Sequence, residues 1–179
     1  MIMIAVGFGF PAIARAAEVK PSSCPQDLPS LTTLLLRDLP SYANRVTQRS
    51  RRLRLESTNS YVIIAGNPDF NPLNTDINPP LETTPPNSNQ PNNQELRQVF
   101  FTTLNREYQG SRIVEVQEFH RLFLVQTSRG WQLALMYSRS STQSQQNLTP
   151  TRESMNSAVG QAVITWLRDC QAGTIRSHE

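Results

Sequence analysis

The chain is poor in the residues that most enzyme chemistry needs. Its 179 residues hold two cysteines, two histidines, two tryptophans and seven glycines, and Lys20 is the sole lysine. Gly7 and Gly9 fall in the N-terminal apolar run, which leaves too few glycines elsewhere for a backbone cradle around a phosphate. The sequence has no Cys-x-x-Cys, no His-Glu-x-x-His and no Gly-x-Ser-x-Gly elbow. Two cysteines without a neighbouring histidine fall short of a tetrahedral ligand set, so neither a metal nor a cofactor is expected. Charge of one sign is not in excess either. Seventeen basic groups against 14 acidic ones leave +3, too little to imply nucleic acid. No run reaches the ~20 apolar residues that a transmembrane helix requires.

What is present begins with an address. Met1 to Phe10 is an unbroken apolar run, followed by Pro11 and then Ala14-Arg15-Ala16. Small residues at −3 and −1 suit a signal peptidase, so residues 1–16 read as a signal peptide cleaved after Ala16. The leader is atypical in having no Lys or Arg before the apolar run, and a buried N-terminal strand is the alternative. The mature chain, 17–179, is long enough for one domain with its own core. It loses Arg15, which leaves 16 basic and 14 acidic groups and a net charge of +2. In an exported chain an even cysteine count suggests a bridge between Cys24 and Cys170. Two unpaired buried thiols are the other reading.

The basic charge is unevenly spread. Residues 37–54 hold Arg37, Arg45, Arg49, Arg51, Arg52 and Arg54 against Asp38 alone. Residues 55–96 hold Glu56, Asp69, Asp76, Glu82 and Glu95 and no basic group. Such blocks either face anionic partners or attract each other within the fold, and the second is the simpler reading. Arg45, Arg49, Arg52 and Arg54 are the candidate partner surface, for a protein or for an anionic membrane.

The strongest pattern runs from Arg112 to Tyr137. Val114, Val116, Leu122 and Leu124 share one face of an extended strand; Ile113, Phe119, Phe123 and Val125 share the other. Gly130 supplies the positive φ of a hairpin turn. In the returning strand, alternation puts Trp131, Leu133, Leu135 and Tyr137 on one face and Gln132, Ala134, Met136 and Ser138 on the other. Upstream, Leu31, Leu34, Leu35, Leu39, Tyr42 and Val46 keep helical spacing. Pro40 predicts two pieces, the first capped by Ser30 and the second by Asp38. Leu53 and Leu55 suggest a short strand, and Tyr61 to Ala65 a buried one.

Residues 67–94 hold seven Pro and eight Asn in 28 positions and read as a flexible loop, with Phe70 among the apolar side chains that dock back. Residues 96–108 fit a helix by spacing, but Val99-Phe-Phe-Thr-Thr favours a strand, which would give a three-stranded meander. Residues 138–149 are Ser, Thr, Gln or Asn in ten of twelve positions and read as a second linker. Thr149 and Pro150 then look like a cap and first-turn proline. The helix after them carries Met155, Ala158, Val159, Ala162, Val163, Trp166, Leu167 and Cys170 on one face, with Gly173 as its stop.

One chemical possibility stands out. Glu118 lies two residues before His120 and on the same strand face, so a carboxylate–imidazole pair is possible there. A pocket at this pair is the enzyme alternative, a small hydrolase or ligand-binding enzyme. A histidine held in a sheet is the simpler reading, and no catalytic residue is assigned.

Five phrases together resemble a known group: Cys24-Pro-Gln-Asp-Leu-Pro-Ser-Leu, Arg37-Asp-Leu-Pro-Ser-Tyr-Ala-Asn-Arg45, Gln98-Val-Phe-Phe-Thr-Thr-Leu, Phe119-His-Arg-Leu-Phe-Leu and Trp166-Leu-Arg-Asp-Cys170. They are similar to small exported proteins of unknown function found in cyanobacteria. The resemblance spans most of the mature chain. It implies a periplasmic or thylakoid-lumen location and supplies no catalytic residues. The expectation is therefore an α+β domain, an antiparallel sheet packed by a broken N-terminal helix and a long C-terminal helix. Its expected role is that of a non-enzymatic accessory or binding protein, with membrane-surface contact through Arg37–Arg54 as a further alternative.

Overall fold

The computed structural model describes residues 24–51, 59–71, 96–109, 111–142 and 148–175. The expected leader 1–16, the expected Leu53–Leu55 strand and residues 72–94 of the expected loop lie outside these. Leu28–Arg51 is one helix, α1, rather than two pieces. Pro40 removes one backbone donor. However, Leu31, Leu35, Leu36, Leu39 and Ala43 form a single buried stripe that runs past it. Each fully buried leucine contributes about 1.5–3 kcal/mol, more than one lost hydrogen bond. Asp27, not Ser30, starts the helix. Its Oδ1 accepts the Ser30 N–H at 2.9 Å. Ser30, through its side chain first and then this backbone bond, holds the Asp27 carboxyl below its ordinary range. Asp38 is not a cap. It pairs with Arg37 and accepts the Trp166 indole N–H at 2.9 Å, which ties this helix to the C-terminal one.

The sheet has five antiparallel strands in sequence order: β1 (Asn59–Ile64), β2 (Leu96–Gln109), β3 (Arg112–Thr127), β4 (Gly130–Thr142) and β5 (Arg152–Glu153). Residues 96–108 are strand, as their β-branched and aromatic content favoured. They pair with β3 from Leu96↔Val125 to Gln109↔Arg112. The predicted linker begins later than expected. Ser138 to Thr142 stay in β4 because β3 is long enough to meet them, from His120↔Ser138 to Val116↔Thr142. Asp69 bonds Phe100 through both backbone groups, and Phe70 packs against the core. Asn44 of α1 accepts the Val62 N–H at 2.9 Å and so covers part of the β1 edge.

Simple alternation fails in β4. Phe123 pairs with Leu135 while Leu124 pairs with Leu133, so Ala134 is an extra residue and a β-bulge. Trp131 and Leu133 therefore join Met136 and Ser138 on the face toward the helices. Leu135 and Tyr137 turn to the opposite face. Gly130 takes φ 107° in the hairpin turn, as its lack of a side chain allows.

The C-terminal helix α2 covers Ala158–Gln171. Its cap is Ser157, whose hydroxyl accepts the Gly160 N–H at 3.1 Å. Thr149 does not cap it. Thr149 instead bonds Ser140, N–H to C=O at 2.8 Å, and the following residues form β5. Gly173, at φ 68°, ends the helix as expected. The Gly173 and Thr174 N–H groups reach back to the Cys170 and Asp169 carbonyls. Val159, Ala162, Val163, Trp166, Leu167 and Cys170 are buried against α1 and the sheet. A Cys24–Cys170 disulfide joins the two ends, with Cα atoms 5.1 Å apart. The architecture is α+β, with both helices on one face. Among the described residues, no helix covers the other face.

Gly160 marks where α2 meets the chain before it. A Cβ there would lie 2.4 Å from the Ser154 carbonyl oxygen and 2.5 Å from that of Met155. Gly→Ala within a helix ordinarily stabilises by about 1 kcal/mol. Gly160→Ala is expected to destabilise by roughly 1–3 kcal/mol instead, because backbone must move to admit the methyl group. Urea unfolding checks this, and a gain in stability would refute the close approach.

Candidate functional site

Two places qualify, one on each face of the sheet. The first surrounds His120. The β2–β3–β4 register sets Thr103, His120 and Ser138 on the helix-covered face. Thr103 Oγ1 lies 2.8 Å from His120 Nε2, and His120 Nδ1 lies 2.7 Å from Ser138 Oγ. Ser138 Oγ is 2.7 Å from Ser154 Oγ, which donates to the Met136 carbonyl. A carbonyl only accepts, and each hydroxyl has one proton, so the chain has one direction. Ser154 accepts from the Ser138 hydroxyl, Ser138 accepts from His120 Nδ1–H, and Nε2 accepts from Thr103.

Burial pushes the His120 imidazole down to about 3, so the ring is neutral. Glu118 Oε2 stands 3.9 Å from Nε2, and burial raises the Glu118 carboxyl above its ordinary value. The imidazole and two hydroxyls are thus in mutual reach, as a hydrolytic site would need, while the carboxylate stands beyond hydrogen-bond distance. Their direction is wrong for it. A nucleophilic serine must give its proton to the imidazole lone pair, whereas Ser138 points its proton away. Thr103 does face that lone pair, but it is 0% exposed and no substrate reaches it. This network closes the hydrogen bonds of a buried polar group.

The second place is the uncovered face. Arg121 sits at its centre, opposite Phe100 on β2 and Tyr137 on β4. Phe119 and Phe123 flank it along β3, so four aromatic residues neighbour Arg121 on this face. Phe100 and Phe119 have ring centroids 6.5 Å apart, and Phe123 meets Tyr137 edge-on at 6.3 Å. The Arg139 guanidinium lies 6.0 Å from the Phe119 centroid. With Thr151, these residues line an open hollow of about 290 Å³. His120 and Ser138 border it too, but alternation turns their side chains toward the helices. Burial, and then the neighbouring Arg139 charge, hold the half-buried Arg121 below its ordinary value. Among the described residues, no carboxylate forms an ion pair with Arg121 or Arg139. Glu153, opposite Tyr137, accepts the Met155 N–H instead.

The arginine cluster is only partly in view. Arg45 lies 4.1 Å from the Tyr42 ring centroid and bonds the Ser41 carbonyl, and Arg49 is exposed. Arg52 and Arg54 lie outside the described residues. None of the exposed large apolar side chains among the described residues is on α1. Also among the described residues, no helix is long and apolar enough to cross a membrane, and no three His, Cys, Asp or Glu side chains group as metal ligands.

Sequence reasoning singled out His120 and Glu118, which lie 3.9 Å apart, but missed Thr103, Ser138 and Ser154, the groups that hydrogen-bond the ring or extend its network. Strand register was the signal that would have found Thr103 and Ser138. It put Phe119 and Phe123 on one face but left Arg121 without a role. Comparison of the chain with protein-family models, curated proteins and solved structures finds no match.

Proposed function

We propose that this chain is a non-enzymatic binding protein of an exported compartment, with the uncovered sheet face as its working surface. The observation that carries the reading is Arg121, a half-buried cation without an ion-pair partner among the described residues, set among four aromatic rings. Aromatic side chains and arginine are the groups that most often dominate binding surfaces. The Cys24–Cys170 bridge is consistent with an oxidising compartment. The resemblance to exported cyanobacterial proteins favours the periplasm or the thylakoid lumen. The rival is hydrolysis at His120, and it is opposed by burial and by the proton order of the network.

Amide chemical-shift mapping against the low-molecular-weight fraction of a host extract tests the reading. Shifts are expected at Phe119–Phe123 and Tyr137–Arg139, with no turnover of ester, amide or phosphoester panels. Turnover that disappears in His120→Gln, or shifts confined to the helices, would overturn it.

A further inference from the structure

We infer that the hollow around Arg121 takes a small amphipathic carboxylate, one with an acidic head and an aromatic or similarly flat apolar body. The inference rests on the binding-surface reading and names its ligand.

The argument starts from the position of the charge. Arginine is normally at an edge, where water or a carboxylate satisfies its five donors. Arg121 instead occupies the middle strand of the face, with Phe100 and Tyr137 across from it and Phe119 and Phe123 along the strand. Its guanidinium is partly desolvated, and Arg139 adds a second positive charge nearby. Arg121 has lost part of its hydration and is repelled by the exposed Arg139 beside it. An anion reverses both terms, and a carboxylate matches the guanidinium fork with two parallel hydrogen bonds.

The surroundings choose the rest of the ligand. Four rings offer faces and edges to a flat apolar body, and a bare inorganic ion would leave them unused. About 290 Å³ is close to the lower end of ligand pockets, which suits a molecule of one or two rings. A single-stranded nucleic acid is less suited, because its backbone needs cations tracking along a groove. Here both arginines border one hollow. Thr151 lies at the border of the hollow and is its one threonine.

Three probes with the same ring test this by calorimetry on the full chain: 2-naphthoate, 2-naphthylmethanol and 2-naphthylmethylammonium. The carboxylate is expected to bind at least ~10-fold more tightly than the alcohol, and the ammonium not at all. Arg121→Gln should erase the difference between carboxylate and alcohol. Arg121→Lys, which keeps the charge but loses the fork, should retain part of it. Arg139→Gln should reduce it, and Phe119→Ala should weaken the carboxylate and the alcohol alike. Equal affinities for the three probes would overturn the anionic ligand while leaving a binding surface in place. Binding of none would also overturn it, and shift mapping with extract would still judge the broader reading. Cosedimentation with phosphatidylglycerol vesicles that is lost in Arg121→Gln would assign the face to a membrane surface and overturn the small ligand.

Discussion

Loss of the Cys24–Cys170 bridge is expected to lower unfolding free energy by about 2–5 kcal/mol, the largest effect of any local change in this chain. The bridge spans a sequence separation of 146 residues, nearly the whole described chain. Reducing it releases an unfolded ensemble that was held nearly end to end, and long loops give the largest entropic gain. It also frees a native strap. Gln26, just after Cys24, accepts the Trp131 indole N–H at 3.1 Å through its carbonyl, and the Gln126 side chain donates to its amide oxygen at 2.9 Å. Without the bridge, those contacts must hold the strap alone. Against a usual stability of about 5–15 kcal/mol, the change is severe.

Urea unfolding of Cys24→Ala/Cys170→Ala beside the oxidised parent measures it. Alanine is the appropriate replacement, since Cys24 and Cys170 are both buried in the core and serine would add unpaired hydroxyls. A difference below about 1 kcal/mol would show that neither the loop constraint nor the strap matters. Intact mass provides a second check. Both sulfurs should resist alkylation until the protein is unfolded and reduced, after which two labels appear.

Acidification is the second large effect. The His120 imidazole is pushed down to about 3 in the fold, against 6.5 ordinarily. The depressed value means the folded ring stays neutral while the unfolded ring takes a proton. Stability is therefore complete above pH 6.5 and falls as pH drops toward 3. The slope well inside that window is about 1.4 kcal/mol per pH unit, so roughly 3 kcal/mol is lost by pH 4.5. Glu118 acts in the opposite direction. Burial raises its carboxyl, so the folded state takes up that proton first and regains some stability as pH falls through the raised value. Arg152 limits this by favouring the carboxylate, whereas Glu107 adds to it.

The expected outcome is a net decline in unfolding free energy between about pH 7 and 4.5, with a shallower decline in His120→Gln. Glutamine keeps a donor and an acceptor near Thr103 and Ser138 but does not titrate. Equal slopes in the two proteins would mean His120 is not the group that couples folding to pH. Nitrogen shifts of the imidazole provide an independent test, since Nδ1–H is expected to be the only tautomer.

Much of this architecture could be read along the chain because its signals are local. The Arg112–Tyr137 hairpin follows from period-two patterning around Gly130. The C-terminal helix follows from an apolar stripe and a glycine stop. The cysteine pair follows from count and context. Local signals erred where several competed. Pro40 argued for a break, but one leucine stripe buried on both sides of it keeps α1 whole. Thr149 and Pro150 looked like a helix start, but Thr149 has a backbone partner in Ser140, and Ser157 lies better placed for the cap. Polar composition hid the end of β4, since cross-strand pairing is indifferent to whether Ser140 looks like linker.

By itself, the sequence determined the central hairpin, the C-terminal helix, the α+β class and the two faces of β3, because side-chain alternation and helical spacing depend only on the order of residues. Tertiary structure alone decided what those faces hold. The bulge at Ala134 is a choice of register between two strands, and nothing in the local order of residues 131–138 requires it. That one extra residue sends Ser138 inward to His120, where burial keeps the imidazole neutral. It sends Tyr137 outward to Arg121, where rings from three strands meet around one charge.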